Sequence, residues 1–270
     1  PPRVHYPGAL YHVMARGNGG QTVFHDRQDF EKMLEIIGLV KEHKPFCLYT
    51  LCLMTNHFHL LLEMNEFPIW TVMQRIMLRF PKDSNIRRRR FGHVFQARYK
   101  AKLCQKETYL LKLIQHIHLN PVETNLCARP ERWEWSGHHA YLRPDLPSLV
   151  DTAFPPSLFS EDPQRARQRY LAFIRSGIGS VSEDDFETES GIPCLASPEF
   201  IGNFLELAQR RLKPPAPLLR RSLEALAAQV ADQTGVTVPE LRSGSRRGFS
   251  AMFNIMKHLA EPCLTGKTFI

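Results

Sequence analysis

Met54-Thr55-Asn56-His57-Phe58-His59-Leu60-Leu61-Leu62-Glu63 is the stretch on which the fold turns. Successive strand residues point to opposite faces, so His57 and His59 project together while Phe58, Leu60 and Leu62 line the other side. The apolar run from Cys47 to Leu53 precedes the turn signal Met54-Thr55-Asn56, which predicts two tightly joined strands, 47–53 and 57–63. Two imidazoles on one strand face can chelate a divalent cation once a third ligand arrives from elsewhere. An isolated His-x-His is more often a pair of surface or core histidines, so the rest of the chain has to decide.

Upstream, Ala9 to Arg16 (ALYHVMAR) predicts a strand that ends in the flexible, donor-rich loop Arg16-Gly17-Asn18-Gly19-Gly20. Asp26 is placed to cap a helix in which Phe30, Met33, Leu34, Ile37 and Val40 recur at helical spacing. Downstream, a second helix follows Pro68, with Pro81 interrupting its pattern. Residues 94–103 predict a further strand and 107–119 a third helix, stopped at Asn120-Pro121. Strand, helix, strand, strand, helix, strand, helix is a split βαβ order. The class is α+β: a ferredoxin-like core, an antiparallel sheet with helices on one face, followed by an all-helical C-terminal module.

The expected domains are the core over 1–143, a connecting region with short helices over 144–217, and a helical module over 218–270. The middle region is rich in Pro, Asp and Ser and is expected to pack loosely on the core. The last has a helix, a tight turn and a second helix, then Arg242, Arg246 and Arg247, a pattern that suits a helix-turn-helix DNA-binding unit or a plain helical packing module.

Thirty-five Lys and Arg against 27 Asp and Glu give a net charge of +8, which favours polyanionic partners through release of counterions from phosphates. Six cysteines without a CxxC pair point to reduced thiols in a cytoplasmic protein. No apolar run is long enough to span a bilayer, and PPRVHYPG does not read as a signal peptide.

Ile114-Gln115-His116-Ile117-His118-Leu119-Asn120-Pro121-Val122 adds the missing ligand. On a helix His116 and Asn120, four apart, share a face, and Asn120 can bring an amide oxygen to a metal. A cation held by two histidines and one amide keeps positions open for water and a phosphate oxygen, as a phosphodiester reaction needs.

These strings, with Tyr6-Pro7-Gly8-Ala9-Leu10-Tyr11-His12-Val13, Gly92-His93-Val94-Phe95-Gln96-Ala97-Arg98-Tyr99-Lys100 and Trp133-Glu134-Trp135-Ser136, resemble the HUH (His-hydrophobe-His) single-strand DNA transposases. The closest resemblance is to the REP-associated tyrosine transposases. It implies His57, His59 and Asn120 as ligands of Mg or Mn, a ferredoxin-like fold, and commonly a homodimer. It also implies single-stranded or hairpin DNA as partner, cleaved and rejoined by transesterification through a helix tyrosine, in a cytoplasmic, nucleoid-associated protein. Arg16 and Asn18 are the candidates for DNA contact at the N-terminal strand.

One departure matters most: the family's tyrosine position is occupied by His116. Phenolate oxygen is the nucleophile of the covalent intermediate. Strand cleavage is then lost, or Tyr109 substitutes from about 10 Å along the helix axis, or His116 itself acts. His138 stands where relatives more often carry an aromatic residue. Arg87, Arg88, Arg89 and Arg90, together with Arg98 and Lys100, interleave with Phe91, Phe95 and Tyr99, which suits tracking of a single strand. The competing functions are an active nicking-joining enzyme and a DNA-binding protein or regulator that keeps the fold. A remoter one is a zinc hydrolase using His57, His59, His116 and His118.

Overall fold

Strand β1 (Ala9–Arg16) leads through a short turn into helix α1 (Arg27–His43), and hairpin strands β2 (Phe46–Leu53) and β3 (His57–Met64) follow. Helix α2 (Ile69–Arg88), strand β4 (Lys100–Cys104) and helix α3 (Lys106–Glu123) come next. Short helices α4 (His138–Leu142) and α5 (Phe154–Ser157), helix α6 (Pro163–Ser176) and the two-residue strand β5 (Cys194–Leu195) complete the series. This computed structural model describes residues 5–180, 186, 194–197, 199–200 and 237. The chain divides into two units, Pro1–Ala208 and Gln209–Ile270. The module expected over 218–270, with Arg242, Arg246 and Arg247, lies outside the described residues apart from Thr237.

The sheet order is β2-β3-β1-β4-β5. The first four strands are antiparallel neighbours, the ferredoxin-like order, and β5 adds a parallel pair with β4. The sheet is thus mixed where the sequence suggested a purely antiparallel one. Side chains directly opposite in a ladder share a face. Met14 and Cys52 both oppose His59, so the His59 face also carries His12, Thr50 and Leu61, while Phe58, Leu60 and Leu62 face the other way.

Helices α1 and α2 cover the Phe58 side. Phe24 meets Phe30 and Phe80 with ring centres 4.9 and 5.2 Å apart, and Phe95 links Phe80 to Phe58 at 6.1 and 5.8 Å. The expectation of helices on one face holds for these two alone. Both are crossover helices, and a common hand of crossover places them on one side. Helix α3 is not a crossover element. It covers the opposite, histidine-bearing face, which would otherwise expose Leu10, Leu61 and Cys104, all now buried.

Neither proline stops its helix. Pro81 lies inside α2 and Pro121 inside α3, which runs on to Glu123. Phe80, 1% exposed and wedged between Phe24 and Phe95, holds α2 in place across the lost hydrogen bond. In α3 the last turn is closed by Thr124, whose amide and hydroxyl both donate to the Asn120 carbonyl at 3.0 and 2.8 Å.

The predicted cap at Asp26 is present, its side chain accepting from the Asp29 amide at 3.1 Å. The region expected to pack loosely is, where described, built into the core: Tyr170 and Ile174 of α6 are fully buried, and Tyr170 stacks on Tyr141 at 4.6 Å. The amphipathic pattern of α6, hidden among prolines in the sequence, supplies the reason: Ala166, Tyr170 and Ile174 recur on one face. Ile174→Ala is expected to cost about 2–5 kcal/mol of stability, measured by urea denaturation. A loosely packed α6 would lose almost nothing.

Candidate metal and nucleic-acid site

Central strand β3 places His57 and His59 on the face beneath α3, and α3 brings Asn120 over them. His57 Nε2 lies 3.3 Å from Asn120 Oδ1. On its far side, His57 Nδ1 lies 2.7 Å from Asn56 Oδ1. Both neighbours are amide oxygens, which only accept, so a neutral ring donates to one of them: through Nδ1 to Asn56, the shorter contact, or through Nε2 to Asn120. With the proton on Nδ1, the Nε2 lone pair faces the oxygen of Asn120.

His59 repeats the arrangement. Its Nδ1 lies 2.9 Å from Nε2 of His12 on β1, and its own Nε2 is buried without a hydrogen-bond partner. Buried N–H groups without acceptors are rare, so the proton sits on Nδ1, donated to His12, and Nε2 holds a lone pair. In the Nδ1–H tautomers of both rings, the three groups present electron pairs and no proton, which suits a cation. His57, His59 and Asn120 thus offer two imidazoles and one amide oxygen, a donor set whose chemistry is compatible with a divalent metal.

The other buried histidines divide between two clusters. His116 is fully buried, with ring centres 5.8 Å from His59, 6.2 Å from His12 and 4.8 Å from Phe186. It lies beneath the Phe186 ring, with Glu123 Oε2 3.7 Å from its Nδ1. His118 turns away to Thr50 Oγ1 at 2.7 Å and His138 Nδ1 at 3.2 Å. A zinc centre of His57, His59, His116 and His118 is thus not assembled, and no group of three or more His, Cys, Asp or Glu side chains fit for a metal occurs among the described residues. Tyr109 stands seven residues before His116, half-buried against the core near the start of α3. At 1.5 Å per residue it is about 10 Å along the axis from His116.

A cleft of about 520 Å³ opens beside His57, lined by Arg16, Arg98 and Lys100 with the amides of Asn56 and Gln96. Leu126, 41% exposed, stands at its lip, where left-handed Asn125 (φ 57°) turns the chain back. No carboxylate lines it among the described residues. Asn18 is exposed in the turn after β1, its amide donating to the Val94 carbonyl at 3.0 Å, and does not line the cleft.

The arginine run splits. Arg87 bonds Asp26 at 2.8 Å and also Asp29, and Arg88 bonds Asp26 at 2.8 Å and Asp29 at 2.5 Å. Asp29 is 2% exposed, so these two arginines neutralise a buried carboxylate and clasp the end of α2 to the start of α1. The Arg87 guanidinium holds the Asp26 carboxyl well below its ordinary range. Arg89 and Arg90 are exposed and lie outside the cleft.

Sequence reasoning missed His12, Asn56, Gln96 and Phe186. The two-residue period of β1 puts His12 on one face with Met14, but only the register of β1 on β3 reveals that this is the His59 face. Phe186 comes from far along the chain and carried no local signal.

Residues 6–120 match the model of the family described as transposase, IS200-like. A solved structure of a REP-associated tyrosine transposase bound to a REP hairpin is similar at 16% sequence identity, covering 57% of this chain and 94% of that one, with a TM-score of 0.46. No curated protein matches the chain in sequence. No helix among the described residues is long and apolar enough to cross a membrane.

Burial keeps the histidines neutral. It lowers His12 to about 3 and His138 to about 4, and takes His59 and His118 well below the ordinary value. A histidine with a depressed folded pKa contributes stability above its unfolded pKa, about 6.5, and loses it as pH falls below that toward the folded value. Denaturant midpoints are expected to drop steadily from about pH 7 to about pH 5. A flat profile would mean these rings are hydrated.

Proposed function

We infer, for a chain whose residues 6–120 are IS200-transposase-like, that it binds single-stranded or hairpin DNA in the His57 cleft with a divalent cation, Mg or Mn, and forms no covalent link to it. The observation that carries this reading is His57 Nε2 against the Asn120 amide oxygen, with the His59 ring and its unpartnered Nε2 5.0 Å from the His57 ring, beside a cationic, carboxylate-free cleft. Arg16, Arg98 and Lys100 suit a phosphate backbone, each displacing counterions on contact. The apolar edge at Leu126 and Met14 suits the face of an unpaired base.

His57, His59 and Asn120 would hold the cation. When bound, it supplies charge neutralisation at a phosphate oxygen. What position 116 lacks is the phenol oxygen of a tyrosine. Transesterification needs a nucleophile that displaces the 3′ oxygen and stays linked to the 5′ phosphate. Position 116 offers an imidazole sealed under Phe186, and Tyr109 is two helical turns away. Both features support binding over cleavage.

Incubating the full chain with a labelled hairpin carrying a single-stranded arm and Mn²⁺ is expected to give a salt-sensitive complex and no adduct resistant to denaturing gels. Arg16→Ala, Arg98→Ala and Lys100→Ala should each flatten the log–log salt dependence by about 0.7–0.9. An adduct formed by the natural chain would overturn the reading. Should that adduct vanish in Tyr109→Phe, the substitute tyrosine would be the nucleophile.

A further inference from the structure

Two hydrogen bonds outside the donor set decide where its lone pairs point. We propose that Asn56 and His12 are positioning residues: each fixes one imidazole, His57 or His59, in the Nδ1–H tautomer, so that both Nε2 atoms converge with Asn120 Oδ1. This rests on the cation-site reading above and adds the residues that act through its ligands.

Asn56 is set by backbone before its side chain acts. Its carbonyl accepts from the Gly17 amide at 2.8 Å, and the Met54 amide donates to the His57 carbonyl at 2.8 Å, closing the turn. The side-chain amide is oriented at both ends. Its oxygen meets His57 Nδ1 at 2.7 Å, while its nitrogen lies 3.5 Å from the Gly20 carbonyl, a long contact of the right polarity. Turning the amide over would set nitrogen against His57 and oxygen against that carbonyl. His12 is placed by sheet register. Met14 opposes His59 and His12 opposes Leu61, which makes His12 the diagonal neighbour of His59, with rings 15° from parallel and centres 5.2 Å apart.

Ligating histidines generally donate the second ring N–H to an acceptor that fixes ring and tautomer, and loss of that partner typically costs 10–100-fold in metal affinity. Carboxylates often fill this place. Here an amide and a neutral imidazole do, so orientation is supplied without adding negative charge to the site.

Long-range ¹H–¹⁵N correlation spectra of the full chain at neutral pH test the assignment without a variant. Both His57 and His59 are expected as Nδ1–H tautomers. An Nε2–H tautomer at His57 would mean that this ring donates to Asn120, a metal-free lock, and would overturn the proposal. Mn²⁺ affinity, followed by electron paramagnetic resonance, is expected to fall about 10–100-fold in Asn56→Leu and in His12→Phe. Asn56→Asp, which keeps the acceptor oxygen, should bind at least as tightly as the natural chain. Circular dichroism checks that His12→Phe folds. Unchanged affinity in both apolar variants defeats the positioning role while leaving the cation site standing. A natural chain that takes up no Mn²⁺ removes the site and this inference together.

Discussion

The two-residue period of β3, held in register between β1 and β2, is the constraint on which the molecule rests. It sends Phe58, Leu60 and Leu62 beneath α1 and α2, and His57, His59 and Leu61 beneath α3. A slip of one residue would exchange the two sets, burying imidazoles among phenylalanines and baring leucines toward the cleft. The apolar layer therefore fixes the chemistry of the polar one.

The polar side is unusual for how much it buries. His12, Thr50, His59, His116, His118, Asn120 and His138 are all nearly inaccessible. Such groups are tolerated when hydrogen-bonded and expensive otherwise. His118 itself meets the requirement inside the protein: Thr50 and His138 bond it, and the Tyr141 hydroxyl donates to the Tyr49 carbonyl at 2.7 Å nearby. Around His59 it is met only in part, since Nε2 has no hydrogen-bond partner. Each histidine cluster thus keeps a buried ring nitrogen without a hydrogen-bond partner, Nε2 of His59 in one and Nε2 of His138 in the other. Gly137 shows how close the first network sits: a Cβ there would lie 2.8 Å from Thr50 Oγ1.

Much of this was legible in the sequence because it is local. Alternation marked β1 to the residue, a capping aspartate marked α1, and His57, His59 and Asn120 followed from strand and helix periods. What was not legible depends on contacts between distant segments. No local pattern tells that α3 covers the face opposite α1 and α2, that Tyr170 and Ile174 enter the core, or that β5 joins β4 in parallel. Proline misled twice, at Pro81 and Pro121, because its cost of about 3 kcal/mol is set against packing that spacing does not reveal. The arginine run misled through charge: a row of four reads as one patch until Asp26 and Asp29, far away in sequence, are seen to take two of them.

That clasp also reshapes the electric field around the protein. Two of the most concentrated positive charges are cancelled locally on the α1–α2 side, so they add little to the potential felt at a distance. Arg16, Arg98 and Lys100 stand in a concave, carboxylate-free setting where field lines are focused. A polyanion drifting past is then drawn toward the mouth beside His57, and the spacing of acidic residues on α1 helps to decide the direction of approach as well as the fold.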